Sequence, residues 1–148
     1  MEPYGYSRVS FADKLKTDAV EAGILSANFT EEEKKEKRPE IVAMAEAKRA
    51  EDPDYYVRHG IGKIVLGKQS HFTDVRHINE LFGLEDFALE NNLSLLFVWV
   101  EKDGIPANAV EESKTSHLKE MCDVVFYNHA DKMNFEKKVR EFLNLYGV

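Results

Sequence analysis

The run Leu93-Ser-Leu-Leu-Phe-Val-Trp-Val100 constrains this chain most. It is apolar with little alternation, as a strand covered on both faces should be. Three further apolar runs have strand length: Tyr6–Phe11, His71–Val75 and Val124–Tyr127. The segments between them carry helix signals. Ser10 with Asp13 reads as a capping box, Leu15, Ala19 and Ala22 line one face, and Gly23 supplies a stop. Thr30 with Glu33 is a second capping box, opening a helix that carries Ile41, Met44 and Ala45 and ends before Pro53. Its apolar stripe is thin, so it packs on one side only and is lid-like. A third helix is expected from about Ile78 to Asn91, with Ile78, Leu81, Phe82 and Leu89 inward. A last one follows from Phe135, Val139, Phe142, Leu143 and Tyr146.

Alternating strands and helices predict parallel strands joined by helical crossovers. The expected fold class is therefore α/β: a three-layer domain, with a parallel sheet of about four strands and helices on both faces. Ligands in such sheets bind at the carboxyl ends of the strands. The residues just after each apolar run therefore carry the most functional weight.

Composition narrows the classes further. A chain of 148 residues has the length of one domain, expected to span 1–148, with 43% hydrophobic residues to build a core. The segment 30–54 stands apart, being charged and nearly free of large apolar residues. The 27 acidic against 20 basic side chains give a net charge of -7, which disfavours binding to a nucleic-acid backbone. No apolar run approaches the roughly 20 residues of a membrane span, and residues 1–6 have neither part of a signal peptide. The lone Cys122 forms no internal disulfide, no Cys/His pair has zinc spacing, and no metal site is expected. A cytoplasmic protein, acting neither on nucleic acid nor at a membrane, is the expectation.

Four local motifs, in order, resemble one family. Ser10-Phe11-Ala12-Asp13-Lys14-Leu15-Lys16 is similar to the Phe-Ala-x-x-Leu-Lys segment of phage-type deoxynucleoside monophosphate kinases, which are P-loop nucleotide kinases. Arg38-Pro39, Arg49 and Asp52-Pro53-Asp54-Tyr55-Tyr56-Val57 resemble the family's arginine-bearing helix and its Asp-Pro-x-Tyr-Trp-Val end, with Tyr56 in the Trp place. Thr73-Asp74-Val75-Arg76 with Asn79-Glu80 resembles the Thr-Asp-x-Arg-x-x-Asn-Glu signature, and Asp123-Val124-Val125 with Asn128 resembles a strand near the family's C-terminus.

The resemblance implies a phosphotransferase-like protein of deoxynucleotide metabolism, of phage or viral setting, that binds a nucleoside monophosphate. It also marks a departure. Such kinases open with a strand, a Gly-x-x-x-x-Gly-Lys-Ser/Thr loop and a helix, all of which would precede Tyr4 here. The expectation is then a kinase-like chain truncated at its N-terminus and catalytically impaired, with ATP and Mg²⁺ as cofactors only if it is active. The missing strand would leave the sheet to be completed by direct pairing, by a homo-oligomer or by a protein partner. Gly62-Lys63-Ile64-Val65-Leu66-Gly67-Lys68 has phosphate-loop spacing, but Gln69 stands where Ser or Thr should hold Mg²⁺, and strand-like residues follow where a helix is required.

Each candidate site residue has two readings. Asp74 as a catalytic, Mg²⁺- or substrate-facing group, with Arg76 on a phosphate, stands against a structural Asp–Arg pair capping the next helix. Arg38 and Arg49 as phosphate-binding groups stand against a solvated charged face, and Lys16 as a phosphate contact stands against a surface lysine. Tyr55 and Tyr56 are read as packing the helix end and Cys122 as a small buried residue. The histidines, His129 among them, receive no role. Two functions compete: a nucleotide-binding, kinase-like protein, and a non-catalytic scaffold of kinase descent that binds or regulates a protein partner.

Overall fold

A computed structural model describes residues 6–102, 109–128 and 132–147. His129, and residues 1–5 of the stretch read for a targeting signal, lie outside that set. The protein is mixed α/β, with seven helices and four strands among the described residues. It divides into two compact units, Met1–Leu95 and Leu96–Val148. The strands pair as two parallel ladders of two strands each, where the sequence predicts one sheet of about four.

In the first unit, β1 (Ser7–Val9) lies parallel to β2 (Ser70–Phe72), in the register Ser7–Ser70, Arg8–His71 and Val9–Phe72. The connection between them holds α1 (Phe11–Glu21), α2 (Glu31–Glu36), α3 (Arg38–Glu51) and α4 (Tyr55–Ile61). Helix α5 (Ile78–Glu90) follows β2. Gly23, at φ +71, ends α1 as expected, in a left-handed conformation that glycine adopts without strain.

The single helix expected from Thr30 to Pro53 is two. It breaks at Lys37 because Pro39, in the first turn of α3, has no N–H to bond back into the preceding turn. The Tyr-Tyr end of the motif starts a separate helix, α4, which the sequence reading places at the end of α3. Its Tyr56 and Val57 are buried with Val9, Phe11, Leu81, Leu84 and Ala88. A second cluster joins Ala19, Leu25 and Ile41, with Leu15, Phe29 and Met44 packed on it. Two glycines permit close approach of the helices. A Cβ on Gly60 would stand 2.4 Å from the Phe11 ring, and one on Gly83 would stand 2.4 Å from Val57 Cγ1.

The second unit holds β3 (Val98–Lys102), α6 (Ala109–Glu120), β4 (Val124–Asn128) and α7 (Lys132–Leu145). β3 and β4 are parallel, from Val98–Val124 to Lys102–Asn128. Phe135 and Phe142 of α7 turn edge-on to Phe126 of β4, at centroid distances of 6.1 and 5.5 Å. The strand predicted from Leu93 begins only at Val98. Asn92 takes a left-handed φ of 54, and Leu93 N–H donates to Ala88 O at 2.8 Å, so the start of the apolar run closes the end of α5 instead. Leu93 and Leu95 are 41% and 39% exposed, unlike residues of a doubly covered strand. Among the described residues no helix is long and apolar enough to cross a membrane.

Candidate functional site

The carboxyl ends of β1 and β2 lie side by side, and the chain leaving each carries one of the motifs. Ser10 follows β1 and Asp74 follows β2. The Asp74 carboxylate reaches across: Oδ2 accepts from Ser10 Oγ at 2.7 Å and from Ala12 N–H at 2.8 Å, and Oδ1 accepts from Phe11 N–H at 3.1 Å. These amides begin α1 and have no partner within the helix, so a carboxylate there meets both their hydrogen-bonding need and the positive end of the helix dipole. The capping box expected from Ser10 and Asp13 does not form, because the Ser10 hydroxyl donates to Asp74. A carboxylate offers about four lone-pair positions; three of those on Asp74 face α1.

Glu80 organises the next turn. It is 3% exposed, and its Oε2 accepts from the backbone N–H of Arg76 at 2.7 Å and of His77 at 3.0 Å. Burial pushes its carboxyl above the usual glutamate range, while the two amide bonds and the Arg49 guanidinium oppose that shift. The start of α5 is thus held by Glu80, and Asp74 caps α1 rather than the helix that follows it. Asn79 Nδ2 donates to Pro53 O at 2.7 Å and to Asp54 Oδ1 at 3.2 Å, tying α5 to the Asp-Pro-Asp-Tyr-Tyr segment. Beside that segment, Asp52 and Arg58 form a two-pronged ion pair, which lowers the Asp52 carboxyl.

Arg49, near the end of α3, is half-buried, with its guanidinium 5.0 Å from the centroid of the Tyr56 ring. Arg76 is exposed just beyond Asp74. Arg38 opens α3, eleven residues before Arg49 and so about 16 Å from it along the helix. Lys16 pairs with Asp13 at 3.5 Å on the outer flank of α1. Glu80 thus bonds the Arg76 backbone and lies within electrostatic reach of Asp74 and Arg49, whereas Lys16 and Arg38 stand on other parts of the unit. The Gly62–Lys68 segment runs into strand β2, so its amides do not open a helix.

Two further groups belong to this region. Asp18 of α1 is 5% exposed; its Oδ1 lies 2.6 Å from Lys14 Nζ and accepts from the Tyr55 hydroxyl at 3.4 Å. The bond to Asp18 holds the Lys14 ammonium above its usual range. Tyr56 is 2% exposed, and burial, reinforced by the Asp18 charge, pushes its phenol up to about 12. The signal for Asp18 was the Lys14–Asp18 spacing of four, set beside the inward Leu15 and Ala19. In the second unit, Cys122 is half-buried rather than buried, and its thiol donates to Leu118 O at 3.2 Å.

Compared with models of protein families, with curated proteins and with solved structures, the chain has no match.

Proposed function

We propose that the chain is a deoxynucleoside monophosphate kinase-like protein that binds a nucleoside monophosphate at the carboxyl end of the β1–β2 pair, in a domain of P-loop kinase descent. The observation that carries this reading is the convergence of three motif segments there. Asp74 bonds the Ser10-Phe11-Ala12 turn, and Asn79 bonds the Asp-Pro-Asp-Tyr-Tyr segment. Arg49 acts on Glu80 from α3. In this reading Arg76 and Arg49 hold the phosphate, because guanidinium groups match its oxygens in bidentate geometry. Asp74 positions the start of α1 and keeps about one lone-pair position for a ligand. Lys16 and Arg38 contribute only at longer range. ATP and Mg²⁺ would enter only with phosphoryl transfer, which needs a phosphate cradle that Gly62–Lys68 does not form.

Calorimetric titration with a panel of deoxynucleoside monophosphates tests the reading. A dissociation constant of about micromolar to millimolar is expected from two charge-assisted contacts after the cost of immobilisation. Arg76→Ala should weaken it about tenfold with the urea midpoint unchanged, since Arg76 is exposed. If no nucleotide binds at millimolar concentration, or if Arg76→Ala merely unfolds the protein, the nucleotide reading fails. The scaffold reading then stands, supported by Ile78, Phe82 and Leu89, which α5 leaves 40%, 45% and 80% exposed.

A further inference from the structure

Asp18 and Tyr56 share a defect that nothing in the proposed site explains. Asp18 Oδ2 and the Tyr56 hydroxyl are both sealed from water, and neither has a hydrogen-bond partner among the described residues. Native interiors pair more than about 90% of such groups. Asp18 is 5% exposed and Tyr56 2%, so bulk water does not reach either atom in the closed form.

The element best able to relieve this is α3. Its apolar attachment is small: Ile41 and Ala45 are buried, and Met44 packs beside Leu15, Ala19 and Leu25. Toward its end it is held by ring contacts instead. Lys48 Nζ lies 5.0 Å from the Tyr55 centroid, and the Arg49 guanidinium lies 5.0 Å from that of Tyr56. Such contacts are weak where water reaches the cation. A few apolar side chains and two half-buried cations therefore hold α3 against the two stranded polar atoms.

We propose that α3 is a cover that opens locally from α1 and α4, and that the unpartnered Asp18 carboxylate oxygen and Tyr56 hydroxyl set its equilibrium by gaining water when it lifts. This goes beyond nucleotide binding and does not depend on it. The open form exposes Asp18 and Tyr56, and it removes Arg49 from the Tyr56 ring face.

Hydrogen exchange followed by mass spectrometry on the full chain, without ligand, tests the proposal. In the parent protein the amides of Ile41–Lys48 should exchange faster than those of Leu81–Leu84 in α5. Tyr56→Phe removes the stranded hydroxyl and keeps the ring, so it should slow the α3 amides about fivefold. Arg49→Met should accelerate the α3 amides and leave those of α5 unchanged. Equal rates for α3 and α5 in the parent would overturn local opening. Unchanged or faster α3 exchange in Tyr56→Phe would show that the hydroxyl is satisfied in the closed form, which overturns the proposal as well.

Discussion

Ser10 and Asp74 follow neighbouring parallel strands and meet in a 2.7 Å hydrogen bond, so one carboxylate joins the strand pair to the first turn of α1. Asp74→Ala removes three acceptor contacts at a half-buried helix start and should cost about 2 kcal/mol. Asp74→Asn, which keeps one acceptor oxygen, should cost less. Urea unfolding measures both. An unchanged midpoint in Asp74→Ala would mean that the carboxylate does not anchor α1.

Gly83→Ala places a methyl group 2.4 Å from Val57 Cγ1 and should destabilise by about 1–3 kcal/mol through overpacking. Val57→Ala in the same chain removes the clashing atom. The double variant should therefore lose less than the sum of the two single changes, a coupling that a double-mutant cycle reads directly.

Glu80 sets a pH dependence whose sign follows from its burial. Its folded-state pKa is raised, so the folded form holds the proton more tightly than the unfolded chain. The stability this contributes is fully present below the ordinary glutamate value of 4.5 and is lost as pH rises through the raised folded value. Glu80→Gln keeps an acceptor for the Arg76 and His77 amides and does not ionise. Its urea midpoint should lack that decline as pH rises above 4.5. A decline of the same size in the variant would assign the effect to another group.

Lys14→Met leaves the Asp18 carboxylate buried without its cation and should cost about 2 kcal/mol. That lies below the full penalty for a fully buried pair, because the Lys14 side chain is 21% exposed. Adding Asp18→Asn removes the stranded charge and should recover part of the loss. A double variant no more stable than Lys14→Met would show that the charge is not the cause.

Lys68→Ala should leave nucleotide binding unchanged in the titration above, because Gly62–Lys68 leads into β2 and not into a helix. Weaker ATP or monophosphate binding in this variant would restore the segment as a phosphate loop.

Much of the local structure was legible because its determinants are local. Gly23 ends α1, and the Thr30 hydroxyl accepts from Glu33 N–H at 3.2 Å, half of the capping box read there. The other half fails because the Glu33 carboxylate turns to Ser26 N and Oγ, both at 2.7 Å. Parallel pairing followed from the alternation of elements, although three of the four strands are shorter than the apolar runs that predicted them. Leu93–Phe97 misled because apolarity does not tell a strand interior from the capping of a preceding helix, and the left-handed Asn92 decides between them. The position of Asp74 and Arg76 just after a strand was legible. The attachment of Asp74 to α1 was not legible, since it depends on a neighbour 62–64 residues away. The burial of Asp18 and Tyr56 depends in the same way on how three helices meet.

The long connection between β1 and β2 bears on how the protein is made. Helix α1 leaves the ribosome well before Asp74, the residue that secures its first turn, which lies 62 positions after Ala12. At about 5–20 residues per second, the nascent helix waits on the order of 3–12 s with the amides of that turn open to water. Bringing the two ends together also closes a large loop, an entropic cost that must be met before the strand pair offers any return. Residues 11–21 should therefore depend, during translation, on chaperones or on the second apolar cluster around Ala19, Leu25 and Ile41, whose members lie closer in sequence.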